Sequence, residues 1–136
     1  MDFIYERRIN YYETDRMGIV HHSNYIRFLE EARCKMLDEA SMPYSSFEKN
    51  GIMIPVLGVN CSFKRHVTFD DIILIEPYVK EFNGVRLTMG YTVTDKNTAN
   101  LVLTAETKHC FTDTNLRPVR LQNHIPEFYQ KFLNLK

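Results

Sequence analysis

Titratable side chains are concentrated in one segment of the chain, residues 12–25. This segment reads Tyr-Glu-Thr-Asp-Arg-Met-Gly-Ile-Val-His-His-Ser-Asn-Tyr. A carboxylate such as that of Asp15, placed just before a helix, can attack a carbonyl carbon or take a proton from water. Free N–H groups in the first turn of the helix can stabilise the oxyanion that forms. The residue types alone leave a structural interpretation open, because Asp and Gly are also common turn residues.

The elements on either side of this segment follow from the spacing of apolar residues. Alternation over residues 3–11, interrupted only by Arg7, predicts a first strand. After the segment, apolar residues recur at helical spacing as far as about Ala40. Either Ser23 or Asn24 is expected to cap this helix, since each has a short side chain that accepts a first-turn N–H.

Four further strands are predicted after the helix, and a short amphipathic helix is predicted near residue 136. Leu57, Val59, Cys61 and Phe63 alternate with polar residues, which predicts a strand with an apolar inner face. Asn83-Gly84 predicts a tight hairpin between the third and fourth strands. The predicted ranges are 57–63, 72–82, 85–93 and 101–111 for the strands and 125–133 for the helix.

This order of elements predicts an α+β fold, in which a curved, antiparallel, five-stranded sheet wraps around one long helix. On the polar side of the helix, Arg27 is expected to pair with Glu31, and Glu31 with Lys35. A chain of this length normally builds one core, so one domain is expected over residues 1–136. The edges of such a sheet need cover, and self-association is therefore expected.

Composition and charge exclude several classes of partner. Lys plus Arg and Asp plus Glu number 17 each, so no overall field draws the chain to nucleic acid or an anionic membrane. No stretch approaches the ~20 apolar residues of a spanning helix, and the first residues lack a signal core. Cys34, Cys61 and Cys110 form no C-x-x-C pair and are expected to be reduced. Together these features predict a cytoplasmic protein without membrane insertion.

The histidines do not suggest a metal site. His21 and His22 are adjacent and point in different directions, and further zinc ligands would have to come from distant histidines. His109 lies on the inner face of the fifth predicted strand. We expect it to be a core histidine whose hydrogen bonds are satisfied. No metal is therefore predicted.

The segment and the helix together carry a motif of fixed spacing. The pattern D-x-x-G-x-V-x-x-x-N-Y runs from Asp15 to Tyr25, and Phe-Leu-Glu-Glu-Ala-Arg follows at 28–33. Supporting segments lie at 54–56, 60–63 and 69–72. On these residues the chain resembles the 4-hydroxybenzoyl-CoA thioesterase family, which includes bacterial acyl-CoA thioesterases associated with the Tol-Pal system. The resemblance covers nearly the whole chain and implies the hot-dog fold, hydrolysis of an acyl-CoA thioester, and no cofactor.

The resemblance also implies roles for five residues. The catalytic aspartate of the family falls on Asp15, acting either as nucleophile on the thioester carbonyl or as general base for water. Its close-turning glycine falls on Gly18, and the backbone N–H that polarises the carbonyl falls on His22. Tyr25 and Glu30 match positions that shape and orient the site.

One departure from the family lies at His66, where members often have proline. It places Lys64, Arg65 and His66 side by side, a cluster able to bind the phosphates of coenzyme A. The alternative interpretation, a solvated strand end, is equally compatible with the sequence.

Three functional hypotheses follow. The first is hydrolysis of an acyl-CoA, and the second is hydrolysis of a thioester carried by acyl carrier protein. The third is a non-catalytic acyl-CoA-binding module, against which the intact Asp15 argues, because a binding module has no chemical need of that carboxylate. A homodimer or homotetramer is expected in each case.

Overall fold

One antiparallel sheet and three helices make up the computed structural model, which describes residues 2–136. The sheet has the strand order β1-β3-β4-β5-β2. The elements are β1 (Tyr5–Arg8), α1 (His22–Glu39), α2 (Tyr44–Lys49), β2 (Val56–Phe63), β3 (Ile72–Phe82), β4 (Arg86–Asp95), β5 (Leu101–Cys110) and α3 (Pro126–Leu135). The predicted α+β architecture is confirmed, and α2 is an additional short helix.

The core lies between α1 and the inner face of the sheet. Helix α1 packs over β1 and β3. Alternate residues of the central strands face the helix, as a period of two requires. The buried residues of α1 are Tyr25, Phe28, Leu29, Ala32, Met36 and Leu37. Each large apolar side chain removed from water in this layer contributes on the order of 1.5–3 kcal/mol to folding.

The β3–β4 hairpin and α3 close one end of the molecule. The side-chain oxygen of Asn83 accepts hydrogen bonds from the N–H groups of Val85 (2.9 Å) and Arg86 (2.7 Å). Gly84 has φ +93°, a conformation that favours glycine. The predicted Asn-Gly turn is therefore confirmed. Behind it, the rings of Phe82 and Phe132 stack with centroids 4.9 Å apart, which fixes α3 on the sheet.

The first strand is shorter than predicted. β1 ends at Arg8, and the chain then forms a 3-10 turn at Tyr11–Glu13, which leaves Tyr11 75% exposed. A capping box between Asn10 and Glu13 forms this turn. Beyond the strand the apolar alternation still marks a buried residue at Ile9, which is 0% exposed, but it fails at Tyr11.

The cap of α1 also differs from the prediction. The helix begins at His22, and its cap is His21 instead of Ser23 or Asn24. The ring Nδ1 of His21 accepts a hydrogen bond from the Ser23 N–H at 3.2 Å. An imidazole nitrogen thus replaces the short oxygen-bearing side chain that caps usually employ.

The sequence predicted that the apolar face of β2 points inward and is buried, and this prediction is wrong. β2 is an edge strand, and its side chains Val56, Leu57, Val59 and Phe63 are 42–52% exposed. β2 lies at the edge of the sheet farthest from β1 and β3, over which α1 packs, so most of its side chains stay in contact with solvent. A register shift between Val56 and Gly58 accompanies this edge, close to the irregular start that Pro55 predicts.

Candidate active site

The loop that contains Asp15 is closed by its own backbone. Thr14 and Val20 form an isolated antiparallel bridge. Inside it, the Asp15 N–H donates to the Ile19 oxygen at 2.8 Å, and the Gly18 N–H donates to the Asp15 oxygen at 2.9 Å. Gly18 has φ +82°, so the tight turn predicted there is present. This geometry holds Asp15 in one place relative to the start of α1.

The Asp15 carboxylate is half-buried and has spare accepting capacity. Its Oδ1 accepts one hydrogen bond, from the N–H of Met17 at 2.8 Å. Within residues 2–136 no donor binds its Oδ2. An ionised carboxylate has about four lone-pair sites. Asp15 is therefore able to accept a proton or to attack an electrophile without first breaking an ion pair.

The start of α1 supplies a backbone donor close to this loop. His22 is the first helical residue, so its N–H has no acceptor inside the helix. No other acceptor within the described range 2–136 binds it. The partial positive charge of a helix N-terminus adds to its donor strength. The imidazole of His22 is exposed and stacks on that of His21, with centroids 4.3 Å apart.

Tyr25 joins the helix to the segment that precedes β3. Its side chain is buried and packs on Phe63, with ring centroids 5.5 Å apart. Burial raises the pKa of Tyr25 to about 12, against the opposing effect of a hydrogen bond with the Val67 backbone. Tyr25 is thus a neutral side chain that shapes the region where the loop, the helix and the Val67 segment meet.

The basic segment Lys64–Arg65–His66 runs beside the Asp15 loop. The N–H of Val20 donates to the Val67 oxygen at 3.0 Å, and Ile19 bridges to Thr68. The three basic side chains are exposed. They line a cleft of about 500 Å³ together with Asp95, Thr98, Asn100 and Val102. The residues that directly follow the cluster thus contact the Asp15 loop, whereas the cleft that the cluster lines is completed by residues of β4, β5 and the turn between them.

Glu30, also predicted as a site residue, does not lie at the Asp15 loop. It is exposed and makes no hydrogen bond or ion pair with any residue in 2–136. It lies eight residues after His22, which is about 12 Å along a helix that rises 1.5 Å per residue. Asp15 and Gly18 lie in the loop, His22 follows it, and Tyr25 contacts the Val67 backbone that binds Val20.

Comparison with known proteins decides the family. The model of the thioesterase-like superfamily matches residues 9–133. The chain belongs to this superfamily. The resemblance read from the Asp15 motif is confirmed at this level, as is the enzyme class, a thioester hydrolase. The comparisons do not bear on the Tol-Pal association, which stays a prediction.

Individual relatives and solved structures agree with this assignment. A protein of Aquifex aeolicus (strain VF5) with a provisional esterase name is 40% identical over 110 residues, covering 81% of this chain and 84% of that protein. A provisionally named acyl-CoA thioesterase of Bacillus subtilis (strain 168) is 26% identical over 132 residues, covering 96% and 95%. A DHNA-CoA thioesterase structure from Staphylococcus aureus superposes with a TM-score of 0.93 at 25% identity, covering 98% and 89%. The predicted hot-dog fold is confirmed.

This superfamily member has a partly buried ion network next to the loop, which the sequence analysis missed. Glu13 is 5% exposed and is ion-paired with Arg7, and the Nε of Arg7 also donates to Glu31 Oε1 at 3.1 Å. The hydroxyl of Tyr5 donates to the same Glu31 oxygen at 2.9 Å. The predicted pairing of Glu31 with Arg27 and Lys35 is therefore wrong. Two signals pointed to the network: a charged residue interrupting the apolar face of β1, and the Asn-x-x-Glu spacing of a capping box.

A second series of hydrogen-bonded polar side chains lies beneath α1. Arg33 donates a hydrogen bond to the Tyr91 hydroxyl at 3.0 Å. The same hydroxyl lies 2.6 Å from Thr107 Oγ1. His109 Nε2 lies 2.7 Å from the same Thr107 oxygen, but its Nδ1 is buried without a partner. The expected fully satisfied histidine is therefore only half satisfied. Burial, aided by the positive charge of Arg33, lowers the pKa of His109 to about 4, so the imidazole is neutral at pH 7.

Residues 2–136 contain neither a cluster of metal ligands nor a helix suited to a bilayer. Across 2–136, no three His, Cys, Asp or Glu side chains converge as a metal site. Within that range, no helix combines the length and the apolar character needed to cross a bilayer.

Proposed function

We propose that this protein hydrolyses an acyl-CoA thioester to a free acid and coenzyme A, with Asp15 as the reacting carboxylate. The observation that carries the proposal is the pairing of two features on one closed loop. Among residues 2–136, no donor binds the Oδ2 of Asp15, and no acceptor binds the N–H of His22 at the start of α1. Carboxylate and oxyanion donor are the two groups that hydrolysis of an activated ester requires.

Two routes fit this arrangement. In the nucleophilic route, Asp15 attacks the carbonyl carbon, the C–S bond breaks, and coenzyme A leaves as a thiolate. Water then opens the mixed anhydride and restores the carboxylate. In the general-base route, Asp15 takes a proton from water while the oxygen of that water attacks the same carbon, and the tetrahedral intermediate then expels coenzyme A as a thiolate. In both routes the His22 N–H stabilises the oxyanion, and Tyr25 shapes the site.

The coenzyme A part of the substrate fits the basic segment beside the loop. Lys64, Arg65 and His66 line one cleft, and two backbone links join the following residues to Ile19 and Val20. Phosphate groups bind strongly to such clusters because the hydrogen bonds are charge-assisted. The Bacillus subtilis relative, which is named as an acyl-CoA thioesterase, supports the same substrate class. Glu30 acts as an orienting residue in this proposal when a second copy of the chain brings it to the site.

We also propose that the protein is a homodimer formed through β2, with a homotetramer as the larger alternative. β2 is an edge strand with one unpaired row of backbone groups, and it carries exposed Val56, Leu57, Val59 and Phe63. Such an edge favours pairing with another strand. An antiparallel pair of identical strands has two-fold symmetry, so a second copy of the chain fits it without a different partner.

A cytoplasmic location belongs to the same proposal. Cys34, Cys61 and Cys110 are all free thiols. Proteins of oxidising compartments usually have their cysteines paired, whereas thiols persist in the cytosol.

The test is thiol release from short-chain, long-chain and aromatic CoA thioesters. We expect turnover by the native protein and a loss of at least ~10²-fold in Asp15→Asn, the contribution of a positioned acid or base. Asp38→Asn is the matched control, because Asp38 is an exposed carboxylate on α1 away from the loop. Equal rates for native protein and Asp15→Asn would remove Asp15 from the chemistry.

The other hypotheses predict different results in the same assay. Turnover confined to acyl groups on acyl carrier protein would favour the carrier-dependent enzyme. No turnover, together with a thermal shift by acyl-CoA that persists for hours, would favour the binding module. An enzyme instead converts the ligand, and the shift decays to that of the products.

A further inference from the structure

The Asp15 loop follows a network formed by buried Glu13, largely buried Arg7 and half-exposed Glu31, and none of these three is a proposed reacting group. We propose that Arg7 and Glu13 are positioning residues, which set the distance between the Asp15 carboxylate and the His22 N–H. This inference rests on the proposed hydrolysis.

The main chain of Glu13 closes the base of the loop. Its carbonyl oxygen accepts a hydrogen bond from the His21 N–H at 2.9 Å. It accepts a second from the side-chain amide of Asn24, also at 2.9 Å. Glu13 lies two residues before Asp15, and His21 directly precedes His22. A displacement of Glu13 therefore moves both halves of the proposed site.

The side chain of Glu13 is what fixes that main chain. One carboxylate oxygen, Oε1, accepts from the Asn10 N–H at 2.7 Å and is also bound by Arg7. At 5% exposure this carboxylate has little access to water. A buried charge is tolerated when it is paired and hydrogen-bonded. Arg7 is the cation that pairs with it.

Arg7 also connects Glu13 to helix α1. Its Nε lies 3.1 Å from Glu31 Oε1, and its guanidinium carbon lies 4.2 Å from the centre of the Phe28 ring. Burial opposes the charge of Arg7, but hydrogen bonds to Glu13 and Glu31 raise its pKa above the usual value. The guanidinium therefore stays charged and joins β1, the 3-10 turn and α1 in one rigid unit.

The consequence for catalysis is geometric. A shift of 1 Å in a reacting group, caused by a change elsewhere, can cost about 10²-fold in rate. Glu13→Gln keeps the shape of the side chain and its acceptor for Asn10, and it leaves Arg7 paired with Glu31. We therefore expect Glu13→Gln to fold and to bind substrate while its loop is less well fixed.

The first experiment compares kcat and KM for acyl-CoA hydrolysis. In Glu13→Gln we expect kcat to fall about 10- to 100-fold, with KM within about twofold of the native value. Glu106→Gln is the matched control, since Glu106 is an ion-paired carboxylate bound to Lys80 on the opposite face of the sheet. Its two constants should stay native. An unchanged kcat in folded Glu13→Gln would overturn the proposal.

A double mutant separates positioning from a general loss of stability. If Glu13 acts through Asp15, then Glu13→Gln/Asp15→Asn should be no slower than Asp15→Asn alone. Multiplied losses would overturn the proposal. Should Glu13→Gln fail to fold, Arg7→Lys replaces it, since lysine keeps the charge and loses the forked contacts. The same pattern of kcat and KM is expected.

A readout independent of turnover separates this inference from the proposed function. Hydrogen exchange of the His21 amide, which binds the Glu13 oxygen, should accelerate in Glu13→Gln, while amides of β4 and β5 stay native. Native exchange at His21 in the variant would overturn the positioning role. Absence of thiol release by the native protein would overturn the hydrolysis, and the exchange result would still report on the loop.

Discussion

At the scale of single residues, the N–H and the imidazole of His22 are separable features. His22 is the first residue of α1, a position where proline is well tolerated because the N–H has no helical partner. We expect His22→Pro to lower kcat by about 10²- to 10³-fold and His22→Ala to leave it nearly unchanged. Steady-state kinetics measures both, and circular dichroism checks that α1 remains. Equal losses in the two variants would move the role to the imidazole.

His109 makes a prediction about pH and stability. Its pKa is lowered to about 4 in the folded state by burial and by the charge of Arg33, from about 6.5 when unfolded. The unfolded chain therefore binds the proton more readily, and stability is lost as pH falls from about 6.5 towards 4. We expect this group to account for up to about 3 kcal/mol of that loss.

Urea unfolding at pH 7, 5.5 and 4 measures this contribution. The comparison is with His109→Leu, which removes the titrating ring and leaves Thr107 bonded to Tyr91. The free energy of unfolding should fall more steeply with acid in the native protein than in the variant. Parallel curves for the two proteins would contradict the lowered pKa.

At the scale of elements, the connection between β2 and β3 carries the proposed phosphate-binding residues. Replacing both Lys64 and Arg65 by glutamine should raise KM for acyl-CoA about tenfold, the size of a lost charged hydrogen bond. The same acyl group on N-acetylcysteamine, which has no phosphates, should show an unchanged KM. Lys35→Gln, at an exposed position on α1, is the control. Equal effects on both substrates would identify a structural role for the segment.

At the scale of the whole molecule, the edge formed by β2 decides the proposed assembly. Val59 is 42% exposed on this edge, and a lysine there would place charge in an apolar contact between copies. We expect the native protein to have the mass of two chains or four by light scattering, and Val59→Lys to have a smaller mass. Ile4→Lys, an exposed apolar residue near the opposite edge, should leave the mass unchanged. A native monomer would contradict the assembly.

Much of the fold was predictable because its signals are local. The Asn83-Gly84 turn selects the hairpin through its own backbone preferences. The apolar periodicity located α1 and all five strands, with errors at their ends. Gly18 likewise lies in a tight turn with a positive φ, as its position in the Asp15 motif implied.

The parts that were missed depend on neighbours in space. Tyr11 continues an apolar pattern but follows the end of β1, and Glu31 follows a surface pattern but faces Arg7. The inner side of β2 has the alternation of a buried strand, yet the helix does not cover it. Periodicity reports which side of an element is apolar, and it carries no information on what packs there.

By itself, the sequence indicated the superfamily through its resemblance to known thioesterases. It also predicted the five strands, α1, α3 and the loop in which Asp15 lies, because apolar spacing along the chain reports such elements. Only the tertiary structure decided that Val67 and Thr68, after the basic segment, contact that loop, that Glu30 has no such contact, and that Arg7 joins Glu13 to Glu31. These placements depend on how the elements pack in space. They arise when strands pair and α1 packs, and burial then selects which charges must find partners.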